Sequence, residues 1–193
     1  TMASNIDNTS IDSTFPVAGQ DNDSQGFRNN FNTIKNNFTA AKNEIEDLQT
    51  NTAKLNATNN FLGNDISGAN FIANTEKHYP GGTVTGPTNV SFTNGNFQTF
   101  TIGSNTLTLT FTDWPASNKV GKMRLMLLDT LGDSTARTVS FATENGTIKY
   151  GTNGDNTFPS PFVVNDNSNP VCVDVWTYDG GTTVYAQYVG QFS

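Results

Sequence analysis

With one cysteine and one histidine among 193 residues, this chain lacks the side chains from which most small catalytic and metal sites are built. A lone Cys172 excludes an internal disulfide framework and a zinc ribbon, both of which need several thiols. It sits in "PVCVDVW", which reads as a strand, and a small buried hydrophobe is its expected role. His78 lies ahead of the strand-like segments, so those segments offer no imidazole for a nucleophile–base pair. Positive charge is scarce too. Ten Lys and Arg against 17 Asp and Glu leave a net charge of −7 and a pI near 4.4. No basic patch is available to exchange counterions with phosphates, which argues against a nucleic-acid partner. No apolar run approaches the roughly 18 residues of a membrane span, so no membrane insertion is expected. The opening "TMASNIDNTSIDSTF" has no apolar stretch of the kind a secretory signal needs.

Catalytic chemistry is equally hard to assemble. Glu144 is the only Glu of the C-terminal region, and Glu44, Glu46 and Glu76 belong to earlier segments. No spacing singles out two Asp for glycoside hydrolysis, and no Gly-rich loop is built to cradle phosphate. Asp21, Asp23, Gln25 and Gly26 fit the first positions of a calcium loop, but Asn32 stands where a bidentate Glu is required. Helix capping by Asn22 or Asp23, with Gln25 reaching back, accounts for the same residues. The Asn-rich stretches 151–156 and 165–170 read first as turns, with calcium loops as the second reading. No catalytic, cofactor or metal residues are expected, and an enzyme is not.

What the chain does have is Asn and Thr, more than a quarter of its residues, with 34% hydrophobic residues. That bias favours turns and β structure over a helical globule. Four textures follow one another. Residues 1–22 are polar with scattered apolar anchors and read as an extended N-terminal arm. Residues 23–56 carry a helical repeat. Residues 57–86 are rich in Gly and Asn and read as a neck. Residues 87–193 alternate in short segments between turn signals, the pattern of an all-β sandwich.

The repeat is regular. Phe27, Phe31, Ile34, Phe38, Ala41, Ile45, Leu48 and Leu55 recur in alternating steps of four and three, with Thr52 in the remaining slot. This is a heptad with Phe31, Phe38, Ile45 and Thr52 at a, and Phe27, Ile34, Ala41, Leu48 and Leu55 at d. Seven Asn lie within it, each costing about 0.5 kcal/mol against Ala, so an isolated helix would be poorly stable. Covering the stripe returns about 1.5–3 kcal/mol per large side chain. Docking on the chain's own β region would broaden the stripe beyond a and d. A strict heptad predicts self-association instead, and Phe at two a positions asks for the wide core of a homotrimer. The stalk would be about 45 Å long. Arg28, Lys35 and Lys42 occupy e positions, while the arm carries Asp7, Asp12, Asp21 and Asp23. An acidic arm against this basic flank is one reading of these charges, and a solvated face is the other.

In the C-terminal region strands are expected at "FQTFTI", "TLTLTFT", "KMRLMLL", "ARTVSFA", "GTIKYG", "PVCVDVWTY" and "TTVYAQYV". Their one-sided alternation predicts an antiparallel, jelly-roll-like sandwich. Asp179-Gly180-Gly181 predicts a hairpin turn. A two-residue loop there puts Val171, Val173, Val175, Val184, Ala186 and Tyr188 on the core face. Asp174, Trp176, Tyr178, Tyr185 and Gln187 then share the other face. Apolar rings beside hydrogen-bonding groups suit a sugar, making these five a candidate site for a host surface glycan. The alternative is that the face packs against another sheet or subunit.

The stretch "FPVAGQDNDSQGFRNNFNTIKNNFTAAKNEIEDLQ", the following "GNDISGANF" and the ending "DVWTYDGGTTVYAQYVGQF" resemble structural proteins of contractile-tailed phages that infect marine cyanobacteria. There, an arm, a helix-opening motif and heptads precede variable C-terminal β domains. The resemblance implies a fibre-like virion component attached to other virion proteins through residues 1–22 and displaying a C-terminal knob. It supplies no catalytic residues and does not decide between a tail fibre and a neck, baseplate or capsid appendage. With about four heptads, this stalk would be short.

Overall fold

The computed structural model describes residues 4–21, 24–152, 154, 157–166 and 168–193. The chain is mainly β, with two sheets and, among the described residues, a single α-helix. It divides into two compact units, Thr1–Asn70 and Phe71–Ser193.

In the first unit α1 spans Ser24–Asn51, shorter at its C-terminal end than the 23–56 expected from the heptads. Thr52 N–H still reaches the Leu48 carbonyl at 3.1 Å. Beyond it the Asn59 amide closes a loop on Lys54, accepting from its N–H at 2.7 Å and donating to its carbonyl at 2.8 Å. Such local side-chain bonds compete with a helix. Leu55 therefore lies outside α1 and is fully exposed, a correction to its place on the seam. Capping by Asn22 or Asp23 falls outside the described residues, and Gln25 donates forward to Asn29 at 2.8 Å.

Among the described residues the second unit holds ten strands: β1 (His78–Val84), β2 (Thr88–Ser91), β3 (Phe97–Ile102), β4 (Thr106–Thr112), β5 (Gly121–Leu128), β6 (Arg137–Thr143), β7 (Thr147–Tyr150), β8 (Val163–Val164), β9 (Val171–Thr177) and β10 (Thr183–Gln191). They form a six-stranded sheet, β1-β3-β5-β9-β10-β7, and a four-stranded sheet, β2-β4-β6-β8. The seven expected strands are all present. The unit begins at Phe71, inside the span read as neck, because β1 is itself a sheet strand.

The expected antiparallel, jelly-roll-like topology is not what forms. Five of the eight pairings are parallel: β1/β3, β3/β5, β2/β4, β4/β6 and β7/β10. The others, β5/β9, β9/β10 and β6/β8, are antiparallel. Parallel neighbours ordinarily need a long crossover, usually helical. In four of the five pairs the crossover is a strand of the opposite sheet, whereas β7 and β10 are joined through β8 and β9. From β1 to β9, successive strands alternate between the sheets, so β1 to β6 wind as a flattened coil before the β9–β10 hairpin closes the larger sheet.

Both sheets contribute to one apolar core, in which Ile102, Leu125, Leu127, Val173, Val175 and Val184 of the larger meet Val90, Leu109, Phe111 and Val164 of the smaller. One buried charge cluster interrupts it. Arg137 donates from Nε to Asp129 at 2.8 Å and from Nη2 to Asp133 at 2.5 Å, and it also bonds Asn105. Asp129 is fully buried, and a carboxylate there is tolerable only because a guanidinium faces it. Asp166 accepts the N–H groups of Gly132 and Ser134 at 2.9 and 2.6 Å, so this one carboxylate caps the 132–134 loop. Cys172 is buried, and burial pushes its thiol up, in line with a hydrophobe's role.

Candidate interaction surfaces

On α1 no residue is fully buried. Among the a residues Phe31 is 67% exposed, Phe38 72% and Ile45 53%, and at d Leu48 is 61% exposed. Phe27 is exposed too, whereas Ile34 and Ala41 are half-covered. The helix thus carries an apolar seam whose large a side chains are more than half exposed. Exposed side chains continue past it at Phe61, Leu62, Ile66, Phe71 and Ile72.

What partly covers the d side is the arm. Rather than extending away, residues 4–15 run antiparallel along α1, clasped at heptad intervals. The Asn30 amide accepts from Asp12 N–H at 3.0 Å and donates to the Asp12 carbonyl at 3.1 Å. One heptad on, Asn37 does the same to Asp7 at 2.9 and 2.6 Å. One heptad further, the Glu44 carboxylate accepts Asn5 N–H at 2.7 Å and the Ser4 hydroxyl at 2.9 Å. Each Asn thus binds both polar groups of one peptide residue, as a neighbouring strand would. Phe15 closes the row. Its ring meets Phe27 edge-on at 4.9 Å, and it lies where a Cβ on Gly26 would come within 2.5 Å, so any side chain there would push the ring aside.

Asn30, Asn37 and Glu44 are g positions. The arm therefore lies on the flank opposite Arg28, Lys35 and Lys42, which corrects the picture of an acidic arm on the basic e row of its own helix. The sequence carries a signal for this docking in its amides and Asp residues rather than in its apolar ones. "IDNTS" and "IDSTF" repeat Ile-Asp-x-Thr at five residues, matched to Asn at seven on the helix. Each Asp also closes a tight turn, accepting from the N–H and hydroxyl of the Thr two residues on. These turns shorten the arm enough for five of its residues to match one heptad, about 10.5 Å of helix. The hydroxyls of Ser10 and Thr9 and the Thr9 N–H hold the Asp7 carboxyl down at about 2.

In the second unit the β9–β10 hairpin turns at Gly180-Gly181, both at positive φ, +75° and +88°. This is the two-residue loop that the side-chain parity required. Val171, Val173, Val175, Val184 and Ala186 are buried, and Tyr188 is half-buried against the core. The five candidate glycan residues do share the opposite face, but not one environment. Trp176 and Tyr185 are register partners and stack at 5.7 Å with planes 15° apart. Tyr178 stacks on Tyr185 at 5.9 Å, with the two hydroxyls 3.2 Å apart, and this shared hydrogen bond pushes the Tyr178 phenol up. The three rings form one near-parallel row rather than separate platforms, and Tyr178 at its end stays exposed.

Asp174 is not free. It is buried and accepts from Arg124 Nε and Nη2 at 2.7 and 2.8 Å, with Lys122 Nζ at 3.4 Å. Arg124's hydrogen bonds hold its carboxyl below the usual range against the opposing effect of burial. Gln187 joins Lys149, Tyr150, Trp176 and Tyr185 around a shallow concavity. Lys122 and Lys149 stand opposite Trp176 and Tyr185 respectively on the adjoining strands, so lysines flank the aromatic pair on both sides. His78 lies on β1, its Nε2 3.0 Å from the Thr99 hydroxyl. Among the described residues no cluster of three His, Cys, Asp or Glu could hold a metal ion, and no helix is long and apolar enough to cross a membrane.

Searches of family models, curated proteins and solved structures found no match for this chain.

Proposed function

We propose that this chain is a virion structural protein, a short trimeric fibre or spike of a phage particle. Residues 1–22 would anchor it to other virion proteins, and the β unit would be displayed as a knob for host attachment. The observation that carries this reading is the open seam of α1. Four large apolar side chains, Phe31, Phe38, Ile45 and Leu48, stand more than half exposed at strict a and d positions. Each would gain about 1.5–3 kcal/mol by burial, and sister copies of the same seam are the cover a 3.5-residue repeat fits. Phe at two a positions favours three helices over two. The exposed Phe61, Leu62, Ile66, Phe71 and Ile72 extend the same need for cover beyond the helix. The sequence resemblance to structural proteins of cyanobacterial phages supports the virion assignment.

The test is placement on the particle. An antibody raised against the β unit should label intact virions at a fixed position on tail, neck or capsid. Purified infectious particles free of this chain would overturn the assignment.

The second reading is a carbohydrate-binding adhesin module. The lysine-flanked Trp176–Tyr185 stack and the concavity beside Gln187 favour it, and it is compatible with the first if the knob carries the glycan site. A purely structural neck, baseplate or capsid appendage would leave that face without ligand.

A further inference from the structure

The position of the docked arm points beyond the single chain. We propose that in the assembled stalk each arm lies in the groove between its own helix and the next copy, with Asp12 meeting Lys35 and Asp7 meeting Lys42 of that neighbour. The N-terminal arms would then lace the helices together. This rests on the parallel trimeric reading given above.

The inference follows from which flank the arm occupies. Between described residues 4–12 and α1, the side-chain hydrogen bonds land on the g residues Asn30, Asn37 and Glu44, and the Phe15 ring rests on Gly26 and Phe27. The a positions stay open beside it, so the arm does not compete with sister helices for the seam. In a parallel coiled coil the g flank of one helix adjoins the e flank of the next, a g residue facing the e residue of the neighbour's following heptad. Asn30 therefore faces Lys35 of the neighbouring copy, and Asn37 faces its Lys42. The residues clasped at those two levels are Asp12 and Asp7.

Charge agrees with geometry. Residues 1–22 contain Asp7, Asp12 and Asp21 and no Lys or Arg, while the e row is Arg28, Lys35 and Lys42. Within one chain the seam separates the two sets. Among the described residues, the one ion pair on that row is Lys42 with Glu46 at 3.0 Å, an i,i+4 contact with both partners well exposed, of a kind worth little. A neighbour's arm would offer the basic row further acidic partners, Asp12 for Lys35 and Asp7 for Lys42.

The experiment mixes equal amounts of unlabelled and ¹⁵N-labelled full chain by unfolding and refolding. The assembly's mass is measured first. A carbodiimide then joins carboxylates to adjacent amines, and the cross-linked peptides are read by mass spectrometry. The expected result is a trimer in which Asp12–Lys35 and Asp7–Lys42 peptides occur in mixed-isotope form. A trimer whose arm carboxylates link only within one chain, or not to these lysines, overturns the lacing and leaves the trimer standing. A monomer overturns the trimeric reading itself. A second arm of the test uses Lys35→Gln with Lys42→Gln, which keeps the seam intact. With the mass unchanged, amide exchange of residues 5–15 should speed by about tenfold, and unchanged exchange overturns the proposal.

Discussion

Arg124 and Asp174 are register partners on β5 and β9, joined by two parallel hydrogen bonds, Nε to Oδ1 at 2.7 Å and Nη2 to Oδ2 at 2.8 Å. The pair crosslinks the two strands at the centre of the larger sheet. Asp174 therefore works for the fold, and a sugar at this face would have to rely on its neighbours. Arg124→Ala should cost about 1–3 kcal/mol, because it leaves a buried carboxylate short of donors. A denaturant titration reads this as a lower midpoint at unchanged slope.

The same pair sets an acid response. Arg124 lowers the Asp174 carboxyl below its unfolded value, which is about 3.9. The stability this contributes is complete above that unfolded value and is lost as the pH falls through the depressed folded one. Unfolding free energy of Asp174→Asn should thus vary less than wild type below about pH 4, measured by denaturant midpoints at stepped pH.

Asn30→Ala with Asn37→Ala should release the arm without unfolding α1, since both side chains sit off the seam. Each clasp is worth about 1 kcal/mol, so opening of residues 5–15 should rise about 30-fold in hydrogen exchange. Retained protection of those amides would show that the clasps do not hold the arm.

Gly181 pairs a φ of +88° with a space that a Cβ would share with Trp114 Cδ1 at 2.5 Å. Gly181→Val should therefore cost about 2–4 kcal/mol through backbone strain and collision together, seen as a lowered melting temperature of the β unit.

For the glycan reading, Trp176→Ala and Tyr185→Ala should abolish binding on a glycan array and adsorption to host cells while leaving the core untouched. Undiminished signals from both variants would remove this face as a carbohydrate site.

The local order of the chain was legible in its sequence, because period-2 and period-3.5 patterns report burial directly. "TLTLTFT" and "FQTFTI" match β4 and β3 residue for residue. The pairing partners were not legible. Alternation says which side of a strand faces the core, but not whether the next segment pairs beside it or crosses to the opposite sheet. β1, β2 and β8 escaped notice for separate reasons: "HYPGGTV" contains Pro and two Gly, and β2 and β8 have four and two residues. Leu55 kept the heptad step but not the helix, because Asn59 bonds the Lys54 backbone in competition with it. The arm's clasp was hidden because its partners are amides, which the search for apolar periodicity passes over.

The claim on which the functional reading turns is that the α1 seam is covered by sister copies. Sedimentation equilibrium of the full chain tests it most directly, run beside Phe31→Asp with Phe38→Asp. The account predicts a wild-type mass three times the 20.8 kDa chain. It also predicts a monomeric variant that loses helical dichroism and keeps its β unit. A wild-type chain sedimenting at 20.8 kDa with its helix intact would contradict it.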